Sequence, residues 1–344
     1  MFVFSPAKLE RNVSLWKKCL PSIKPYYAMK CNPHPFIITK LSQLKVNFEC
    51  AAVSEISSCL STTNEIIYGH PHKTVDQIQY AKTNKINKIV YDSLSQLKLI
   101  HQTYPDALPI LRIKSNEKRS EIKFNQKFGA SDEELDEIVS YHKREKFPLL
   151  GISFHVGSKC YYPEQYLETI EKIYSLDVKY NLKLRMIDIG GGFPSIDDNF
   201  TETNFIGHTG IIDRHLLKHT SLDRYNIVAE PGRFIVDNVL KFIVKVINKK
   251  VRDNTNIYYI NDSVYGSLNG VMFDGRKIPS DKELQNYPTI LYGQTCDSVD
   301  KIECNIPEYN IGDEICFNNF GAYTWCAAST FNGFPIAEWV LEKD

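Results

Sequence analysis

Several things are missing from this sequence, and each absence narrows its reading. Of 344 residues, 41 are Lys or Arg and 41 are Asp or Glu, so no net charge remains. A chain without excess basic charge has no general electrostatic pull toward nucleic acid or an anionic membrane surface. No uninterrupted apolar run comes near the roughly 20 residues that span a bilayer, and the opening MFVFSPAKLERNV lacks the apolar core of a signal peptide. The nine cysteines are odd in number, scattered, and form no C-x-x-C pair. A reduced, cytoplasmic chain with no metal site and no membrane partner is the expectation. There is no low-complexity segment and no internal repeat of 20–50 residues.

What is present is a succession of short apolar runs, each closed by polar or glycine residues. PYYAMKC (25–31), KVNFECA (45–51), EIIYG (65–69), KIVYD (88–92), LPILRI (108–113), LLGISFHV (149–156), MIDIGGG (186–192) and NIVAEPG (226–232) read as buried strands. Between them, residues 131–145 and 162–180 repeat apolar positions every three or four residues, as amphipathic helices do. The first of these places acids early and bases late, the sense the helix dipole favours. Eight strands alternating with helices predict an α/β fold, a (β/α)8 barrel of the TIM type. A doubly wound open sheet is the alternative, but its G-x-G-x-x-G turn after the first strand is missing. Beyond residue 238 the helical pattern stops, and FIVKVI, IYYIND, TILYG and DEICFNN read as strands of a second, mostly β domain. FVFS at the start is a candidate strand of the same domain. The expected division is residues 22–238 for the barrel, and residues 1–21 with 239–344 for a discontinuous β domain contributing to the active site.

Barrels of this kind carry their active sites at the C-terminal ends of the strands. Standing there are Lys30, Glu49, Asp92, Arg112, His155, Gly190, Gly191, Gly192 and Glu230. The lysine that closes YYAMKCN is either a strand end reaching solvent or an amine poised for a carbonyl carbon. DIGGGFP offers backbone N–H groups to an anion, or a tight turn. HVGS brings His155, with Ser158 able to cap the next helix. AEPGR sets Glu230 and Arg233 near one mouth, as a site or as a surface ion pair. One cofactor needs this set: pyridoxal phosphate takes an amine for a Schiff base, glycine amides and a base for its phosphate, and a carboxylate for its ring nitrogen.

The tracts YAMKCN, HVGS, DIGGGFP, AEPGRF, YYINDSVYGSLNGVMFD, YGQTCDSVD and GAYTWCAASTFNGF resemble the eukaryotic-type ornithine decarboxylases. These belong to the barrel-fold, alanine-racemase-like class of pyridoxal-phosphate enzymes, and the resemblance runs over essentially the whole chain. It implies that Lys30 holds the cofactor covalently, that Glu230 pairs with its pyridine nitrogen, and that His155 stacks on its ring. Ser158, Gly190, Gly191, Gly192, Gly232, Arg233 and Tyr323 would form the cofactor's cradle, with Arg112 and Asn332 lining the same pocket. It implies a homodimer whose subunits complete each other's sites. Cys296, the proton donor to the substrate's Cα, and Asp297 would come from the partner. Lys127 and Asp300 would pair across the interface.

Asp274, Asp297, Phe273 and Asn332 would contact a basic amino acid. Arginine-preferring relatives carry Glu at the position of Asp274, so the shorter side chain favours ornithine, decarboxylated to putrescine. The alternatives are arginine, lysine or diaminopimelate on the same scaffold, or a silent antizyme-inhibitor-like homologue, which would typically have lost cofactor-binding groups that are kept here. The chain departs from the family's pattern where Glu49 replaces Asp, Ala52 replaces Ser, Lys159 replaces Gly, Phe273 replaces Tyr and Ser298 replaces Gly.

Overall fold

The structure, a computed structural model, describes residues 1–62, 64–197, 199–218, 224–278 and 284–342. The chain opens with a short strand, β1 (Phe2–Phe4), and a helix, α1 (Pro6–Cys19). Eight strands then close a parallel barrel: β2 (Ile23–Ala28), β3 (Asn47–Cys50), β4 (Ile66–Tyr68), β5 (Lys88–Tyr91), β6 (Leu108–Arg112), β7 (Gly151–Ser153), β8 (Met186–Asp188) and β9 (Asn226–Ala229). Each is followed by its helix, in order α2 (Pro35–Gln43), α3 (Val53–Cys59), α4 (Val75–Thr83), α5 (Leu94–Thr103), α6 (Asp132–Glu145), α7 (Glu164–Tyr180), α8 (Glu202–Lys218) and the short α9 (Arg233–Val236). Local chemistry sets the helix starts. The Glu134 carboxylate accepts from Ser131 N at 2.7 Å at the head of α6, and Thr74 and Gln77 cap α4 reciprocally.

The barrel interior is apolar at one level and charged at the next. Tyr26, Ile67, Val90, Ile110, Leu150, Met186 and Val228 form a buried cluster; each such side chain contributes about 1.5–3 kcal/mol by leaving water. Partners in a parallel sheet share a face, and that face recurs every second residue. Ala28 stands beside Glu49, Arg112 beside Ser153, Ser153 beside Asp188, and Asp188 beside Val228. Two residues onward, Ala28 leads to Lys30, Ser153 to His155, and Val228 to Glu230. The charged residues thus continue the inward rows beyond the apolar plug, toward the strands' C-terminal ends.

The expected domain limits need correction at both ends. The chain divides into one unit of Glu10–Ile235 and another of Met1–Leu9 with Val236–Asp344. Most of α1 belongs with the barrel because Trp16 is buried there, its indole 4.8 Å from the Phe193 ring and 5.8 Å from Phe234. Residues 236–238 leave the barrel unit: Asp237 is held by Arg276 at 2.8 Å and by Ala322 N at 3.1 Å.

In the second unit the sheet runs β13-β12-β11-β10-β1-β15, with β14 also pairing β10. Its strands are β10 (Leu240–Arg252), β11 (Thr255–Ile260), β12 (Tyr287–Tyr292), β13 (Lys301–Ile306), β14 (Glu314–Phe317) and β15 (Trp339–Leu341), with a four-residue helix α10 (Gly270–Phe273). The opening FVFS is β1, which pairs β10 on one side and β15 on the other. Among the described residues no helix is long and apolar enough to cross a membrane, and no group of His, Cys, Asp or Glu could hold a metal ion.

Candidate active site

The inward rows end in a cavity of about 200 Å³, whose lining includes Lys30, Glu49, Gly69, Arg112, Ser153, His155 and Glu230. The strand expected over residues 25–31 stops at Ala28, and Met29–Cys31 form one turn of 3-10 helix. Met29 and Cys31 are buried on that turn while Lys30 is exposed to the cavity. Tyr27 Oη donates to Asn32 O at 3.0 Å and pins the turn from behind. The amine is therefore accessible on a rigid base, as a nucleophile toward a carbonyl requires.

Around it the carboxyls are crowded. Asp188 is fully buried; its Oδ1 accepts from Gly190 N at 2.9 Å. Its second oxygen is buried, and its carboxyl interacts with that of Glu230. Burial, then the charge of Asp188, pushes Glu230 well above the ordinary carboxyl range, and burial lifts Asp188 to about 6. Two such acids cannot both ionise cheaply, so Glu230 keeps a proton beside Asp188. Arg112 faces Glu230, Asp92, Glu49 and Asp188, and burial lowers its pKa. Its guanidinium lies 4.9 Å from the Phe128 ring. His155 takes Gly157 N on its Nδ1 at 3.0 Å. Burial, then the nearby charges of Lys30 and Arg112, drives its pKa well below the usual value, leaving a flat neutral ring with its proton on Nε2.

A second pole of the barrel unit suits an anion. Ser158 Oγ lies 3.4 Å from Arg233 Nη2. Gly232 precedes α9, its carbonyl accepting from Ile235 N at 3.0 Å. At Gly191 a Cβ would stand 2.8 Å from Glu230 O and 3.0 Å from His155 Nε2, so only glycine lets this backbone close in. Lys159, in place of the family's glycine, keeps the left-handed backbone at φ +55°, and its ammonium meets Glu121 at 3.1 Å. The residues fit pyridoxal phosphate on a further count. Ser153 Oγ and Glu49 Oε2 are buried against the cavity with no partner among the described residues, and a polar aromatic occupant would supply one.

The remaining candidates lie in the other unit. Cys296 is exposed, and Asn332 Oδ1 accepts from its backbone N at 2.9 Å. Tyr265 Oη donates to Asp297 Oδ2 at 2.6 Å, which holds that carboxylate ionised. Asp300, expected at an interface, is buried and accepts from Val264 N at 2.9 Å and Thr295 Oγ1 at 2.6 Å, so within the chain it anchors the loop bearing Cys296 and Asp297. Asp274 is buried at the C-terminal end of α10, its N–H donating to Gly270 O at 3.0 Å. Phe273 beside it is 80% exposed, and Tyr323 holds a left-handed backbone at φ +53°. Lys127 is exposed, its ammonium 5.1 Å from the Phe128 ring.

Sequence reasoning missed Lys73, Asp188, Ser153 and Gly69. Lys73 is buried, its ammonium capped by the carbonyls of His70 and Val90 and set over the Tyr68 ring. Burial lowers its pKa to about 7 against the opposing pull of Asp92 and Glu49. Counting alternate residues inward from Met186 and Gly151 would have found Asp188 and Ser153; nothing in HPHKT singles out Lys73.

Comparisons with known proteins agree with this geometry. The family model described as "Pyridoxal-dependent decarboxylase, pyridoxal binding domain" matches residues 6–237. Ornithine decarboxylase of Mus musculus is 34% identical over 95% of this chain and 77% of its own. Antizyme inhibitor 2 of Xenopus laevis is also 34% identical, over 92% of this chain and 75% of its own. Among solved structures, the arginine decarboxylase of Paramecium bursaria Chlorella virus superposes with a TM-score of 0.89 at 32% identity, over 99% of this chain and 94% of that one.

Proposed function

The chain belongs to the pyridoxal-dependent decarboxylases, and on that premise we propose that it converts L-ornithine to putrescine and carbon dioxide, in active sites shared between the subunits of a homodimer. The observation that carries the reading is the exposed Lys30 on its buried turn, lining one cavity with Arg112, His155 and Glu230. When bound, pyridoxal phosphate supplies an electron sink into which the bonding pair of the Cα–carboxylate bond drains as carbon dioxide leaves. Lys30 Nζ would hold the cofactor through its aldehyde carbon. Glu230 would meet the ring nitrogen, and Asp188, buried beside it, sets how readily Glu230 gives up its proton. The neutral His155 ring offers a flat face for stacking, and Ser158, Gly190 to Gly192, Gly232 and Arg233 receive the phosphate. Tyr323 joins that cradle.

Cys296 Sγ, from the partner subunit, returns a proton to the substrate's Cα, so that an amine is released. Asp297 and Asp274 bind the substrate's distal ammonium. An aspartate at 274 reaches less far than a glutamate and leaves room for ornithine's side chain; Asn332 and Phe273 border the same end. Lys127 lies at the subunit interface, whereas Asp300, 1% exposed within its own chain, acts only through the loop it anchors. The likeness to an antizyme inhibitor supports a second reading, a silent regulatory homologue. Against it stand Lys30, His155, Glu230, Arg233, Cys296 and Tyr323, which are all kept. Release of carbon dioxide from ornithine, lysine, arginine and diaminopimelate, each with added pyridoxal phosphate, separates these readings. Ornithine is expected to be the preferred substrate; equal or greater turnover of another overturns the assignment, and none with any supports the silent homologue.

A further inference from the structure

Gly69 directly follows β4, and its N–H donates to Cys50 O at 2.8 Å, which carries the β3–β4 pairing one residue past the strand. Glu49 lies on the neighbouring strand, and the end of its side chain occupies the volume in front of Gly69. A Cβ at position 69 would stand 2.0 Å from Glu49 Oε1, 2.7 Å from its Cδ and 2.8 Å from its Cγ. No contact of that kind survives between real atoms, so any side chain at 69 and this placement of Glu49 exclude each other. Glu49 is 2% exposed and flanked by its strand partners Ala28 and Ile67, both buried. The direction left open to its carboxyl is the cavity that Glu49, Gly69 and Lys30 line together. Position 49 is also where the chain departs from the family's aspartate, adding one methylene.

We infer that Glu49 and Gly69 form one steric pair, in which Gly69 is a positioning residue that lets the longer carboxyl fold back against β4 and keeps the space beside Lys30 open for the cofactor ring. A methyl group at 69 pushes the carboxyl into the cavity. There it occupies ring volume and blocks the approach to the Lys30 amine. The inference rests on the reading that Lys30 receives the cofactor's aldehyde.

The test is equilibrium binding of pyridoxal phosphate to the cofactor-free chain, read by the absorbance change of the bound aldehyde, for wild type, Gly69→Ala, Glu49→Ala and the double variant. Gly69→Ala is expected to weaken binding by about tenfold or more, as an overpacked methyl does. Glu49→Ala in the double variant recovers most of that loss, because the Cγ, Cδ and Oε1 atoms that meet the new methyl are then absent. Wild-type affinity in Gly69→Ala, or a double variant no better than Gly69→Ala, overturns the pair. Melting temperatures are read in parallel. Should Gly69→Ala not fold, rescue of folding by Glu49→Ala supports the pair and its absence overturns it. Lys30→Ala serves as the separate arm: an unchanged absorbance response there sinks the role of Lys30, while the melting temperatures of the four forms still decide the steric pair.

Discussion

Replacing Glu49 by Gln removes an ionisable group while keeping the shape of the side chain, and its effect on the cofactor-free chain depends on pH in a defined direction. Burial raises the Glu49 pKa from 4.5 to about 8, partly opposed by Lys30 and reinforced by Glu230. The folded state therefore keeps a proton that the unfolded chain releases above about 4.5. Stability falls as pH climbs from there to about 8 and is unaffected by this group beyond. At about 1.4 kcal/mol per pH unit, the cost of Glu49 is about 1 kcal/mol at pH 5.5 and about 4 kcal/mol at pH 8. Glu49→Gln removes it, so the variant gains about 3 kcal/mol over wild type between those two values. Asp188 and Lys73 titrate in both proteins, chiefly displaced by their own burial, with Glu49 a lesser influence on each, so the difference is dominated by Glu49. For a unit of this size, about 2–4 °C of melting temperature accompany each kcal/mol, and the gain reads as about 6–12 °C. Thermal melts of both cofactor-free proteins at pH 5.5 and 8 measure it. A wild-type-to-variant difference that stays flat across that range refutes the reasoning, because it means that Glu49 carries no displaced proton.

Three further outcomes follow from the assigned roles. Cys296→Ala is expected to keep cofactor affinity and lose about 100-fold or more in putrescine formation, the scale of a missing general acid; quantifying product by chromatography checks it, and unchanged turnover removes the proton-donor role. Asp274→Glu is expected to shift the ornithine-to-arginine ratio of kcat/KM by about tenfold toward the longer substrate, the scale of one methylene in a pocket; competition between the two amino acids measures it, and an unaltered ratio counts against Asp274. Mixing Lys30→Ala with Cys296→Ala subunits restores part of the activity if sites are shared, since one site of each heterodimer then holds both groups. No recovery in isolated heterodimers contradicts the shared site.

The sequence exposed the barrel because each strand is apolar along its inward row and ends in a charge, so Lys30, Arg112, His155 and Glu230 were legible at once. It exposed less where the reason for a residue lies on a neighbouring strand. Gly69 reads as a turn glycine until the Glu49 side chain is seen in front of it. Lys73 reads as a loop lysine until the carbonyls of His70 and Val90 close over it. The limit of the barrel unit at Glu10 was hidden because α1 is amphipathic in either setting, and only the Phe193 and Phe234 rings beside Trp16 decide where it packs. In the β domain, β13 and the three-residue β15 escaped notice; a strand as short as β15 has too little alternation to be read before its partner β1 is known.

The central claim is that the amine of Lys30 bonds to the aldehyde carbon of pyridoxal phosphate. Borohydride reduction of the cofactor-loaded protein, followed by peptide mapping, tests it most directly. The account predicts one modified peptide, carrying the reduced cofactor on Lys30, and none at that position in Lys30→Ala. Label on another lysine, or no label in a protein that still releases carbon dioxide from ornithine, would contradict it.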